Sequence, residues 1–313
     1  MFTRKRKIHG KERYYLEHSI RMLDGEIKKI SVYLKDYPNN IEKYKEKINI
    51  KIKEKQIEYA AKIYKRNNLF TEETIKKIEE AKLGYKQIIK KLTKNQLKDV
   101  IDRFAVNFTY ESNAIEGNSL TLKDVAFVLK EKKVLAGKDL REIYETTNTK
   151  EALELIFNNK IRINKEDIIK LHRILVKNTG VEFGFKKIPN ELLGRNVKTT
   201  PPEHVEKEIE NLIEQYHKEN NIHPLQKAIS FHGKFEKIHP FDDGNGRTGR
   251  LLTNIILIEK GYPPLIIRKT QRIAYFKALD SFDNGYEDKL KRFFIEKFKN
   301  TYEKFFLIYI KYL

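Results

Sequence analysis

From about residue 94 the chain repeats one pattern, apolar residues at helical spacing over the length of an ordinary helix and then a breaker. The breaks are Gly117-Asn118, Asn158-Asn159, Gly180, Pro201-Pro202, Pro224, Pro240 and Pro263-Pro264. Glycine ends a helix by reaching φ > 0 at little cost, proline by lacking an N–H and fixing φ. Segments divided this way can bury their apolar stripes only against one another, which predicts a mainly α domain. Only 181–200, with Gly184, Pro189, Asn190 and Gly194, lacks the helical period, and a short hairpin or loop over a site is expected there.

The front of the chain reads differently. Residues 11–35 alternate apolar and polar, with Tyr14, Leu16, His18 and Ile20 before Asp24-Gly25 and Ile30, Val32 and Leu34 after it, the signature of a β-hairpin. Helical spacing then covers 41–66 and 71–92, with Thr71-Glu72-Glu73 as a helix start. The net charge of +20 is concentrated here: residues 1–100 hold 27 Lys/Arg against 14 Asp/Glu, the rest 37 against 30. Such a bias suits a nucleic acid or acidic partner. A Lys-rich, Trp-free composition also produces lysine-studded helix faces by itself, and no nucleic-acid-binding motif accompanies the charge. With no cysteine, thiol catalysis, thiolate metal sites and disulfides are excluded. The basic N-terminus is followed by no apolar segment and no membrane-spanning stretch, so a cytoplasmic protein is expected.

The chemistry concentrates in His239-Pro240-Phe241-Asp242-Asp243-Gly244-Asn245-Gly246-Arg247-Thr248-Gly249-Arg250. Gly244, Gly246 and Gly249 allow a sharp turn and close approach, and the apolar run 251–257 continues it as a helix. The unpaired N–H groups of that helix start would point into the turn and suit a phosphate, with Arg247 and Arg250 forking onto its oxygens. His239 can take a proton near neutral pH, and Asp243 offers a hard carboxylate for Mg²⁺ beside the phosphates. A base, a metal ligand and an anion cradle thus fall within twelve residues. A zinc pair from His232 and His239 is disfavoured for want of further ligands, and His232 and His172 read as packing residues.

This run resembles the complete HPFx(D/E)GNGRxxR motif of the Fic proteins, which transfer AMP from ATP to protein hydroxyls. The resemblance implies a Fic-type helical bundle core with a short β-hairpin flap, besides the N-terminal β-hairpin and helical arm. It makes His239 the general base, Asp243 the Mg²⁺ ligand, and Gly244, Asn245, Gly246, Arg247, Thr248, Gly249 and Arg250 the ATP-binding segment, with Phe241 as the loop's anchor. Ser112-Asn113-Ala114-Ile115-Glu116-Gly117 resembles the family's inhibitory (S/T)xxxE(G/N) segment, in which Ser112, Glu116 and Gly117 are the motif positions and Glu116 pairs with Arg250. Leu193, Gly194, Arg195 and Asn196 resemble the flap, which pairs with a target as an added strand; Gly184-Phe185-Lys186-Lys187 departs from the usual Gly-x-Tyr-Arg before it. The resemblance also puts Tyr275, Phe276, Asp283 and Asn284 on the adenine side, while the helical spacing of Tyr275 equally suits a core residue.

The implied organisation is an N-terminal β-hairpin (1–36), a helical arm (37–98), inhibitory and bracing helices (99–162), a catalytic core (163–300) and a C-terminal helix end (301–313). The implied reaction uses ATP and Mg²⁺ and modifies a Ser, Thr or Tyr hydroxyl of a target protein and of the chain itself. Removal of AMP by hydrolysis, transfer of another group at the same site, and nucleotide or nucleic-acid binding by a quiet regulator are the alternatives. Self-association is left open.

Overall fold

The computed structural model describes residues 1–35, 37, 39–131, 133, 136–190 and 198–310, which divide into two compact units, Met1–Leu83 and Gly84–Leu313. In the first, β1 (Phe2–Ile8), β2 (Lys11–Arg21) and β3 (Ile27–Leu34) form an antiparallel sheet in that order. The expected hairpin is β2–β3, in register at Leu16↔Val32. The strand β1 is an addition that periodicity does not reveal, because Thr3-Arg4-Lys5-Arg6-Lys7 has no apolar alternation. It pairs through backbone groups, which need none. Its link to β2 is His9-Gly10, both at positive φ (49° and 75°), a two-residue turn whose twist suits a hairpin. Leu16, Ile20, Ile30, Val32 and Leu34 then form one apolar face, closed by Tyr44 and Ile48 of α1 (Ile41–Ile63). The helix α2 (Glu72–Lys91) follows.

The second unit is helical. Its elements are α3 (Lys94–Ile115), α4 (Leu122–Glu131), α5 (Leu140–Phe157), α6 (Lys165–Leu175), α7 (Pro202–Lys218), α8 (Pro224–Ile238), α9 (Asn245–Glu259), α10 (Arg272–Asp283), α11 (Asp288–Thr301) and, after a π-helical turn, α12 (Leu307–Ile310). Local chemistry sets many of the ends. Thr93 and Gln96 make a reciprocal capping box before α3, while Asp139 and Asn164 accept the first N–H groups of α5 and α6. Pro202 and Pro224 open α7 and α8, where a missing N–H costs nothing.

The centre is α9, in which every residue from Arg247 to Leu257 is buried. A helix buried on all sides must be surrounded, and α3, α5, α6 and α8 all pack on it. Gly249 permits a close approach of α8: a Cβ there would lie 2.7 Å from Glu236 Oε1 and 3.2 Å from the His232 ring. Among the described residues no helix is long and apolar enough to cross a membrane.

Candidate active site

The loop joining α8 to α9 is bounded by two left-handed residues, His239 (φ 50°) at the end of α8 and Gly244 (φ 80°) before α9. Asn245 closes it. Its side-chain Nδ2 donates to the Phe241 carbonyl (2.7 Å) and its Oδ1 accepts the Phe241 N–H (2.9 Å). The Asn245 side chain is therefore spent on the loop, which leaves only its backbone for a ligand. Thr248 is likewise committed, donating to the Gly244 carbonyl at 2.8 Å, and Gly249 faces α8. Both lie behind the turn that the resemblance assigns to phosphate.

Phe241 is fully buried and stacks on His172 at 3.8 Å with 2° between the rings. His172 accepts the Gly184 N–H at Nδ1 (3.2 Å), so its Nε2–H donates to the Asp243 carbonyl (2.9 Å). Burial pushes the imidazole down to about 4, which keeps it in this neutral form. The packing residue expected at 172 is thus a brace for the loop. The segment before residue 191 is sewn to the same loop: Lys186 N–H donates to Pro240 O (2.9 Å) and Asn190 Nδ2 to Phe241 O (2.9 Å). Lys186 is itself buried, donating to Asn190 Oδ1 (2.7 Å) and Thr199 Oγ1 (3.0 Å), and burial lowers its pKa to about 8. Leu193, Gly194, Arg195 and Asn196 lie outside the described residues.

His239 is half-buried, and its Nδ1 lies 3.3 Å from the Glu236 carbonyl. A carbonyl only accepts, so the proton sits on Nδ1 and the lone pair on Nε2, the tautomer a base requires.

Arg250 is 3% exposed. Its Nε–H donates to Ser112 Oγ (3.0 Å), Nη2 donates to Ser112 O (2.9 Å) and pairs with Glu116 Oε1 (2.7 Å), and Nη1 has no hydrogen-bond partner among the described residues. Glu116 stands at the C-terminus of α3, where Gly117 at φ 104° turns the chain away. Its carboxylate rests on Gly246, where a Cβ would lie 2.2 Å from Oε1. A carboxylate therefore already occupies the first turn of α9, the place where backbone N–H groups and the helix dipole favour an anion.

Arg247 has other partners. Its Nη1 lies 3.1 Å from Glu145 Oε1 and its Nη2 3.3 Å from Asp243 Oδ1. Arg141, one turn before Glu145 on α5, pairs with Asp243 Oδ2 and lies 3.4 Å from Glu145 Oε1. Two i,i+4 pairs on different segments thus cross into a closed ring of alternating charge, and Asn118, just after Gly117, donates to Glu145 Oε2 at 2.9 Å. Burial alone would raise the Asp243 carboxyl, but the Arg247 and Arg141 guanidiniums and the Gly244 N–H hold it below its usual value. Arg141 and Glu145 escape sequence reading, since such a pair looks like any solvated helix face.

Asp243 is ionised and half-exposed, and no group of three metal-ligating side chains exists among the described residues. That donor set suits a hard cation completing its shell with phosphate oxygens and water, as Mg²⁺ does, rather than a cation caged by protein.

The adenine-side candidates are dispersed. Tyr275 is fully buried, with its hydroxyl on His232 Nε2 (2.8 Å). This is the core placement that its helical spacing also allowed, and it gives Tyr275 no surface for a base. Phe276 lies under the Arg272 guanidinium (4.9 Å), Asp283 is the last residue of α10, and Asn284 caps that helix through Asp280 O (2.7 Å). His232 is the buried structural residue its neighbours implied.

Residues 162–257 match the Fic/DOC family model. The chain is 33% identical over 180 residues to protein adenylyltransferase fic-1 of Caenorhabditis elegans, covering 55% of this chain and 35% of that protein. It is 34% identical over 196 residues to protein adenylyltransferase Fic of Nematostella vectensis, covering 60% and 46%. It thus spans less than half the length of these relatives. A crystal structure of a Fic domain containing signaling protein from Bacteroides thetaiotaomicron superposes with a TM-score of 0.65 at 25% identity, over 72% of this chain and 94% of that one. A complete loop motif, a matching fold and these relatives agree: residues 162–257 form a domain similar to the Fic/DOC family.

Proposed function

We propose that the chain is a protein adenylyltransferase that moves AMP from ATP to a Ser, Thr or Tyr hydroxyl of a target protein and of itself, and that Glu116 restrains it. The observation that supports this reading is the Glu116 carboxylate at the α9 N-terminus, 2.7 Å from Arg250, a position that the reading gives to a nucleotide phosphate. In the reaction, His239 Nε2 takes the proton of the attacking hydroxyl. The hydroxyl oxygen forms a bond to the α-phosphorus, the bond from that phosphorus to the bridging oxygen breaks, and pyrophosphate leaves. Arg247, Arg250 and the Gly244–Gly246 backbone stabilise charge on the phosphate oxygens. Asp243 would hold Mg²⁺, which supplies further neutralisation of that charge when bound. With Glu116 in place, Arg250 is occupied and the incoming phosphates meet a fixed negative charge. ATP is then displaced from an in-line pose.

A cysteine-free chain accords with a reducing cell interior, where ATP and target proteins are available. The reading is tested by mass spectrometry of the protein after incubation with ATP and Mg²⁺. A mass increase of one AMP is expected for Glu116→Gly and none for His239→Ala in the same background. Equal labelling of the two would overturn it.

A further inference from the structure

The outward face of the N-terminal sheet has no part in that reaction. One face of β2 and β3 is closed by α1, and the register puts the alternate residues on the other. That face carries one aromatic ring per strand, Phe2, Tyr15 and Tyr33. Phe2 is 51% and Tyr33 46% exposed, and the Tyr15 and Tyr33 centroids are 5.5 Å apart. On the same face stand Arg4, Arg6, Lys11, Arg13, Arg21 and Lys29, with the Arg6 guanidinium 4.8 Å from the Tyr15 centroid and that of Arg13 5.8 Å from Tyr33.

The charge balance separates this face from an ordinary solvated one. On the helices lysines have acids one turn away: Lys45–Glu42 at 2.6 Å, Lys76–Glu72 at 2.8 Å and Lys77–Glu73 at 2.6 Å. On the outer sheet face six cations share one carboxylate, Glu17, which is wholly buried beneath Arg4, Arg6 and Lys29. What faces the solvent is therefore cationic and aromatic.

We propose that this sheet face binds single-stranded nucleic acid. Guanidiniums pair with phosphates, and rings exposed on an open sheet offer flat surfaces on which unpaired bases stack whatever their sequence. An acidic peptide would use the cations and leave the rings without a partner. A duplex would keep its bases stacked on one another.

The test uses the full chain and a fluorescein-labelled 20-nucleotide single strand of mixed sequence, read by anisotropy across a salt series. Binding is expected to weaken with salt at a log–log slope of about −3, the release expected from four or five neutralised phosphates. The double variant Arg4→Gln/Arg13→Gln should flatten that slope by about 1.4. Tyr33→Thr, which keeps a strand-forming side chain, should weaken binding about tenfold at unchanged slope. Lys51→Gln/Lys86→Gln removes the same charge from exposed helix positions and should stay within about twofold. The proposal is overturned if the two double variants behave alike, if Tyr33→Thr binds as wild type, or if a duplex or poly-glutamate of equal charge competes as well as the single strand. Should Tyr33→Thr melt early, the Arg4→Gln/Arg13→Gln comparison still decides.

Discussion

The two arginines of the α9 first turn are three residues apart and equally buried, yet different parts of the chain hold them. Arg250 is gripped by the end of α3, through Ser112 and Glu116. Arg247 is gripped by α5, through Glu145 and, by way of Asp243, Arg141. The first grip puts an anion where a nucleotide phosphate would go. The second holds beside it an arginine and the Asp243 carboxylate, which in the proposed reaction would hold Mg²⁺. The difference teaches that one turn of helix can be restrained from one side and organised from the other, with Asn118 tying the restraining segment back to Glu145.

The largest test of this contrast is Glu116→Gly. Releasing Arg250 should raise self-modification by about 100-fold, the scale of restoring a misplaced reactant to its in-line position. It should also cost about 1–3 kcal/mol of stability, since a buried guanidinium loses its carboxylate. A rise under twofold would show that the α3 side is no brake. Glu145→Gln in that released background is the converse test. Arg247 loses its charged partner on α5, and transfer should fall about tenfold with most of the change in KM for ATP, the mark of a residue that positions rather than reacts. An unchanged KM would place Arg247 under Asp243 alone.

Arg141→Gln sharpens the same side. It frees one Asp243 oxygen and removes a nearby positive charge, so Mn²⁺ in the presence of ADP should bind about fivefold more tightly by electron paramagnetic resonance. Asp243→Asn should abolish that signal. Loss in Asp243→Asn with no change in Arg141→Gln would keep the metal site and remove the competition.

The smallest effect is on pH. His172 is about 4 folded and near 6.5 unfolded, so below pH 6.5 the unfolded chain takes up a proton that the folded chain refuses. The contribution of His172 is fully present above pH 6.5 and is lost as pH falls toward 4. Between pH 7 and 5.5 this should cost about 1 kcal/mol, read as a falling Tm. His232, pushed by burial to about 3, acts in the same direction. His172→Phe keeps the stack on Phe241 and should remove about half of the slope; an unchanged slope would relieve His172 of this role.

Much of this was legible in the residues. Gly117, the paired prolines and Gly244 marked helix ends because their backbone preferences act within a few residues. His239, Asp243 and the two arginines stood out because they share one short loop. The pairing of Glu116 with Arg250, 134 positions apart, came from a resemblance of motifs and not from local physics. Arg141 and Glu145 carried no such mark, β1 had no alternation to announce it, and Tyr275 could be read as a pocket residue or a core one.

The sequence by itself thus determined the helical class, the turn of the loop and the chemical groups in it, all properties of local backbone preference and residue type. Only the tertiary structure decided that Glu145 and Asp243 face Arg247. It spent the side chains of Asn245 and Thr248 on the loop and turned Tyr275 inward. The reason is that charge pairs and hydrogen bonds depend on distance in space, and α3, α5 and α9 come together only when their apolar faces are buried against one another.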